Sequence, residues 1–179
     1  MKLYILNGSA RSDGFSSMSA ELMMPVLSRK YDIVYDRAIE KKAAFCTGCD
    51  VCAETGECVF SDDMDEILVS LTQSSKVLIL SSITFSSVPA QLKVIIDRCQ
   101  VLFNNRSKKF SPKDAYFVFY GGAKSYPEQF AGAEAEFRHV LMHINASKKD
   151  VLCFPDSDSF GGSLPESVRE KLTALAQRI

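Results

Sequence analysis

The sequence carries almost no net charge: 21 Lys and Arg stand against 22 Asp and Glu over 179 residues, a formal charge of -1. So balanced a chain has no large basic field to gather nucleic acid or an anionic membrane, and no dense acidic patch for docking stands out. No apolar stretch approaches the roughly 20 residues of a membrane span. The apolar run at the N-terminus is too short for a secretory h-region, and Gly8 ends it. These absences predict a cytoplasmic protein in a reducing compartment, with no nucleic-acid or membrane partner.

Other motifs are missing too. The only two histidines, His139 and His143, lie four apart on a predicted helix. No Glu follows His139 as in H-E-x-x-H and no carboxylate ligand is evident, so a surface or packing role is expected rather than zinc. G-x-S-x-G is absent, which removes the hydrolase nucleophile elbow. G-x-G-x-x-G and Gly-Lys-Ser/Thr are absent, which removes the dinucleotide fingerprint and the Walker loop. No repeat and no long linker divides the chain, so residues 1–179 read as one domain.

What is present is a regular alternation. Five apolar runs read as strands: Lys2–Leu6, Asp32–Tyr35, Val77–Leu80, Ala115–Tyr120 and Asp150–Phe154. Most lack polar alternation, as strands buried on both faces should. Helical stripes fall between and after them, at Ser16–Arg29, Ser61–Thr72, Pro89–Phe103, Glu128–Ile144 and Pro165–Ile179. Pro25 inside the first predicts a bend or break there. Asp63 and Glu66 resemble a capping box. The order β-α-β-α-β-α-β-α-β predicts a three-layer α/β fold: a doubly wound, flavodoxin-like sheet of five parallel strands in the order 2-1-3-4-5. Such sheets bind ligands beyond the carboxyl ends of their strands, where the order reverses.

The loop after strand 1, Asn7-Gly-Ser-Ala-Arg-Ser-Asp-Gly-Phe-Ser-Ser17, leads straight into a helix. Helix N-termini offer unpaired amides and a partial positive charge, which suits a phosphate monoester. Ser9, Ser16 and Ser17 add hydroxyls and Arg11 adds charge. The bland alternative is an ordinary Gly/Ser turn. After strand 3, Ser82-Ile83-Thr84-Phe85-Ser86-Ser87 is polar and carries one aromatic, which suits the edge of a flat heteroaromatic ring. Gly121-Gly122 after strand 4 would let the backbone come close to it. Alternatively, Phe85 is core and the glycines form a turn.

Six cysteines are present, four of them in one loop at 46–58: Cys46, Cys49, Cys52 and Cys58, spaced C-x2-C-x2-C-x5-C. Four soft thiolates suit zinc or iron–sulfur chemistry. Structural zinc usually takes two Cys pairs with a longer insert, whereas consecutive C-x2-C-x2-C resembles the ferredoxin run around a [4Fe-4S] cube. Two disulfides, or thiols holding nothing, remain open readings. Cys99 and Cys153 lie in apolar patterns and read as small core residues.

Four segments together resemble the NAD(P)H-dependent FMN reductase branch of the flavodoxin-like flavoproteins, and most of all its iron–sulfur flavoproteins. They are Gly8-Ser-Ala-Arg11; the cysteine loop with Asp62-Asp63-Met64; Phe85 through Lys93 with Asp97-Arg98; and Gly121-Gly122. The resemblance implies FMN, with its phosphate around Ser9, Arg11, Phe15, Ser16 and Ser17. It implies ring contacts from Ser82, Ile83, Thr84, Phe85, Ser87, Gly121 and Gly122. It further implies a homodimer or homotetramer, and a [4Fe-4S] cluster on Cys46, Cys49, Cys52 and Cys58. The expected activity is electron transfer between NAD(P)H, or a ferredoxin-like donor, and a small-molecule or protein acceptor. No side-chain acid, base or nucleophile is required. A cluster-free reductase of quinones, azo or nitro compounds, and a non-catalytic electron carrier, are the alternatives.

Overall fold

A computed structural model describes residues 1–105 and 108–179. Its single sheet has five parallel strands in the order β2-β1-β3-β4-β5. They are β1 (Lys2–Asn7), β2 (Asp32–Arg37), β3 (Lys76–Ser82), β4 (Lys113–Tyr120) and β5 (Ala146–Phe154). The helices are α1 (Phe15–Leu27), α2 (Val51–Thr55), α3 (Met64–Gln73), α4 (Ala90–Arg98), α5 (Gln100–Asn104), α6 (Ala131–His143) and α7 (Glu166–Arg178).

Strand side chains alternate between two apolar layers. Leu3, Ile5, Leu78, Leu80 and Val118 meet α1 and α7 on one face. Tyr4, Leu6, Val77, Ile79, Phe117 and Phe119 meet α3, α4, α5 and α6 on the other. Both faces are buried, which is why the strands read as apolar runs rather than alternating patterns. The reversal of strand order falls between β1 and β3, and the loops leaving those two strands rise side by side on the carboxyl rim.

Several expected boundaries move, each for a local reason. α1 runs unbroken through Pro25. Pro25 lies two residues from the helix end, and the carbonyl it leaves unbonded belongs to exposed Glu21, where water can serve it. The stripe expected as one helix over Pro89–Phe103 is two, α4 and α5. The Cys99 amide is shared between the Ile95 and Ile96 carbonyls, and the chain turns there. No capping box forms on Asp63. Asp62 Oδ1 instead accepts the Met64 amide at 3.0 Å, while Asp63 accepts from the Lys42 amide at 2.8 Å. α6 starts at Ala131 rather than Glu128, because Glu128 has a left-handed φ of 61°. β5 begins four residues early, at Ala146, through the exposed Ser147, Lys148 and Lys149 of an edge strand. Of the two histidines, His143 stacks edge-on against Phe103 at 5.2 Å.

Candidate functional site

β1 ends at Asn7, a buried residue that organises the loop above it. Its Nδ2 donates to Ser17 Oγ (2.9 Å) and Tyr35 Oη (3.0 Å), and its Oδ1 accepts the Ser9 amide (2.9 Å). Ser9 Oγ accepts the Arg11 amide at 3.3 Å, and Ser17 Oγ donates to the Arg11 carbonyl at 3.1 Å. The loop is thus closed by its own side chains before any ligand arrives. Gly8 makes the close approach possible: a Cβ there would stand 2.4 Å from Leu92 and 2.6 Å from Ser81 Oγ. Gln91, on the first turn of α4, donates to the Gly8 carbonyl at 2.8 Å and ties the loop to the element after β3.

α1 starts directly behind this loop. The Gly14 carbonyl takes the amides of Ser17 and Met18, which leaves those of Phe15 and Ser16 without a carbonyl partner in the helix. Ser16 is 2% exposed, yet its hydroxyl has no hydrogen-bond partner among the described residues. A buried hydroxyl without a partner is uncommon and costs stability.

Above the loop lies an open cleft of about 540 Å³. Among the residues singled out from sequence, Ser9, Arg11, Phe15, Ser16, Ser82, Ile83, Thr84 and Gly122 line it. The structure does not bring the remaining four to its wall. Ser17 lies beneath the floor as part of the Asn7 network. Gly121 is buried behind, against Gln129 and Phe130. Ser87 Oγ donates to Glu136 at 3.2 Å. Phe85 is neither core nor cleft: it is fully exposed at the tip of a tight turn. The amides and carbonyls of Thr84 and Ser87 pair across that turn at 2.8 and 3.0 Å, and Phe85 and Ser86 both take left-handed φ values, 49° and 59°. That combination is the two-residue hairpin turn normally built from Asn and Gly, and here it carries strain.

Further residues line the cleft, among them Gln91, Tyr120, Ser157 and Asp158. Gln91 holds the loop, as described. Tyr120 closes the back wall, its hydroxyl 2.6 Å from Ser19 Oγ, and burial pushes its phenol well above the usual range. Ser157 and the exposed Asp158 arrive from the loop after β5, and Asp158 stands beside Gly122 where a Cβ would clash with its carboxylate. The carboxyl-rim rule applies to the loop after strand 5 as much as to the others, and the polar run Asp156-Ser-Asp-Ser159 is its sequence signal.

The cysteine loop follows β2 and a short turn over Ala38–Glu40. It bends at Gly48, Asp50 and Gly56, all with left-handed φ. Cys46 and Cys49 are exposed, and Cys52 and Cys58 are half-buried. All four line one small cavity of about 20 Å³. Among the described residues no three His, Cys, Asp or Glu side chains are gathered tightly enough to hold a single metal ion. Asn104 of α5 donates to Cys52 Sγ at 3.1 Å.

The floor of that cavity includes Arg98, whose side chain is 1% exposed. Its two terminal nitrogens reach Asp62 at 2.8 and 3.1 Å, and one also donates to the Ala44 carbonyl at 2.8 Å. Burial works to raise the Asp62 carboxyl, but the Arg98 hydrogen bond, the amides of Ala44 and Met64 and the Arg98 charge together hold it below the usual carboxylate range. The two remaining cysteines sit apart from the loop. Burial pushes the Cys99 thiol up to about 12 and Cys153 up to about 11, as expected of packing residues.

Comparisons with known proteins bear on the family and the fold. An iron-sulfur flavoprotein of Archaeoglobus fulgidus is 32% identical over 133 residues, covering 74% of this chain and 60% of that protein. An iron-sulfur flavoprotein of Methanocaldococcus jannaschii is 30% identical over 103 residues, 57% of this chain and 53% of that protein. The matched region therefore spans just over half the length of these curated relatives. Among solved structures, the azoreductase AzrA superposes over the whole of both chains with a TM-score of 0.75 at 13% identity. An FMN-dependent NADH-azoreductase from Bacillus anthracis, solved with FMN, covers 99% of both chains with a TM-score of 0.70 at 10% identity. At such identities the likeness shows the fold. A family profile described as NADPH-dependent FMN reductase matches residues 1–152, a span that takes in the loop after β1, the cysteine loop and the rim between them, and the chain belongs to that family.

Proposed function

We propose that this protein is an FMN-dependent oxidoreductase that moves electrons from NAD(P)H, or from a ferredoxin-like donor, to an acceptor, with a [4Fe-4S] cluster on the cysteine loop as its second redox centre. The observation that carries the flavin half is the unpartnered, buried Ser16 hydroxyl at the start of α1, in a cleft that the Asn7 network has already shaped. A phosphate oxygen is the acceptor that hydroxyl lacks. Ser16 and the first-turn amides would bind the phosphate, Ser9 would border it and Arg11 would add charge from the exposed side. Ser82, Ile83, Thr84 and Gly122 would border the ring. Asp158 places a carboxylate beside Gly122, where it would meet the polar edge of a ring or its sugar chain.

The cysteine loop fits the second group by donor chemistry: four soft thiols ring one cavity. The ligands of a cube each take a different iron, so they stand farther apart than four ligands of one ion. The cavity is small, about 20 Å³, so loading would involve movement of the loop. Exposed Cys46 and Cys49 can swing outward without unpacking the core. When bound, flavin supplies hydride and one-electron chemistry and the cluster supplies one-electron transfer. The protein binds, orients and tunes, and no side-chain acid or base is assigned. The reading includes a homodimer or homotetramer in the cytoplasm. Among the described residues no helix is long and apolar enough to cross a membrane.

A second reading, a cluster-free NAD(P)H-dependent reductase of quinones, azo or nitro compounds, draws on the exposure of Cys46 and Cys49 and on the azoreductase fold neighbours. Anaerobic purification followed by an absorbance spectrum and iron and sulfide analysis separates the two. Flavin bands with iron and sulfide bound to the chain support the first reading, and flavin bands alone support the second. Neither flavin nor iron, after exposure to both, would end the proposal. NAD(P)H oxidation with small acceptors then tests for an enzyme, because a pure carrier shows almost none.

A further inference from the structure

We propose that Arg98 is a positioning residue for the cysteine loop, holding Cys58 in place and setting the electron affinity of a cluster bound there. The inference rests on the cluster reading above.

Arg98 is the one cationic side chain lining the four-cysteine cavity among the described residues. Its terminal nitrogens are committed to Asp62 and Ala44, which joins α4 to the start of α3 and to the segment entering the loop. That clamp accounts for two of its three nitrogens. The third, Nε, is buried and has no partner among the described residues. Cys58 is close enough to the guanidinium to interact with it through a side-chain hydrogen bond as well as through charge. A clamp to Asp62 and Ala44 alone does not need Arg98 beside Cys58, whereas a cysteine ligand of a bound cluster would give the guanidinium a stronger acceptor there.

The chain turn at Cys99 reinforces the assignment. It divides α4 from α5 and brings Arg98 to the cavity and Asn104 to Cys52, one of the four cysteines lining it. One elbow thus presents two donors to the cysteine loop. A four-thiolate cluster is anionic, and accepting one electron adds one negative charge. A nearby buried cation favours the reduced form and raises the potential.

The test uses the full chain with its FMN, reconstituted anaerobically with ferrous iron and sulfide. Iron per chain and the cluster midpoint potential are measured for wild type, Arg98→Met, Arg98→Lys and Asp62→Asn. Arg98→Met is expected to lower the electron affinity at least tenfold, about 59 mV for a one-electron couple. Arg98→Lys keeps the charge without the planar fork and is expected to fall between it and wild type. Asp62→Asn removes the neighbouring negative charge and is expected to shift the potential the opposite way. Variants that lose iron while their loaded fraction keeps the wild-type potential would overturn the proposal, as would shifts of one sign for all three. Should Arg98→Met not fold, the opposite signs required of Arg98→Lys and Asp62→Asn still decide. A wild type that takes up no iron or sulfide fails the cluster reading and the inference with it. A wild type that loads, with variants that match it, fails the inference alone.

Discussion

The two loops that rise from β1 and β2 are neighbours in the sheet but opposites in construction. The loop after β1 is buried at both ends and already tied together: Asn7, Ser9 and Ser17 bond to one another and to its backbone, and one hydroxyl, Ser16, is left over. The cysteine loop is largely exposed, turns through three left-handed residues, and is fastened from outside by Arg98 and Asn104. On the proposed reading the first is preorganised for a phosphate, so binding would involve little reordering. The second would settle around a cluster, so loading and folding of that loop would be coupled.

The sharpest way to break this contrast is to remove one ligand. Cys49→Ser is expected to abolish stable iron incorporation while FMN affinity, followed by flavin fluorescence quenching, stays within about twofold. If flavin binding fell with it, the two loops would not be independent. Next in size is Gly8→Ala. The added methyl meets Leu92 and Ser81 at distances no real Cβ tolerates, and overpacking of this kind costs about 1–3 kcal/mol. A lower midpoint in urea unfolding of the flavin-free protein checks it, and the cysteine loop should still load. Ser16→Ala should separate ligand from scaffold. Flavin-free stability should hold or rise slightly, because an unpartnered buried hydroxyl is removed, while FMN affinity falls roughly tenfold, about 1.4 kcal/mol.

The smallest effect is a control at the amino-terminal end of the strands, opposite the carboxyl rim. Lys113, at the start of β4, is 5% exposed and donates to the carbonyls of Leu71 and Thr72 near the end of α3. Burial lowers its pKa to about 8 from 10.5. The unfolded chain therefore holds the extra proton between those two values, and folding stability should rise with pH across that window. Because the two carbonyls favour the charged form, the rise should be on the order of 1 kcal/mol. Thermal melts of Lys113→Met from pH 7 to 11 should lack that component, and neither loop should respond.

Much of this was legible in the sequence because it rests on apolar period. Strands buried on both faces betray themselves as runs such as Val77–Leu80, and the alternation with helices leads to the strand order. β5 was seen only in part because its first half is an exposed edge, where Ser147 and Lys148 carry no strand signal. The loop after β1 reads as a candidate phosphate site from its position between a strand and a helix, since backbone amides would do the binding there. Phe85 was not. Its direction depends on two left-handed residues that composition does not announce, because Phe and Ser rarely adopt them. Arg98 also escaped a role. Its sequence neighbours on α4 say nothing of a cavity formed by a loop some 40 residues earlier.

The account depends most on a phosphate seated at the start of α1. Calorimetric titration of flavin-free protein with FMN and with riboflavin, which lacks the phosphate, tests this directly. One FMN should bind per chain, and riboflavin should bind at least about 100-fold more weakly, the worth of roughly 2.7 kcal/mol of charge-assisted hydrogen bonds. Equal affinity for the two flavins would contradict the assignment.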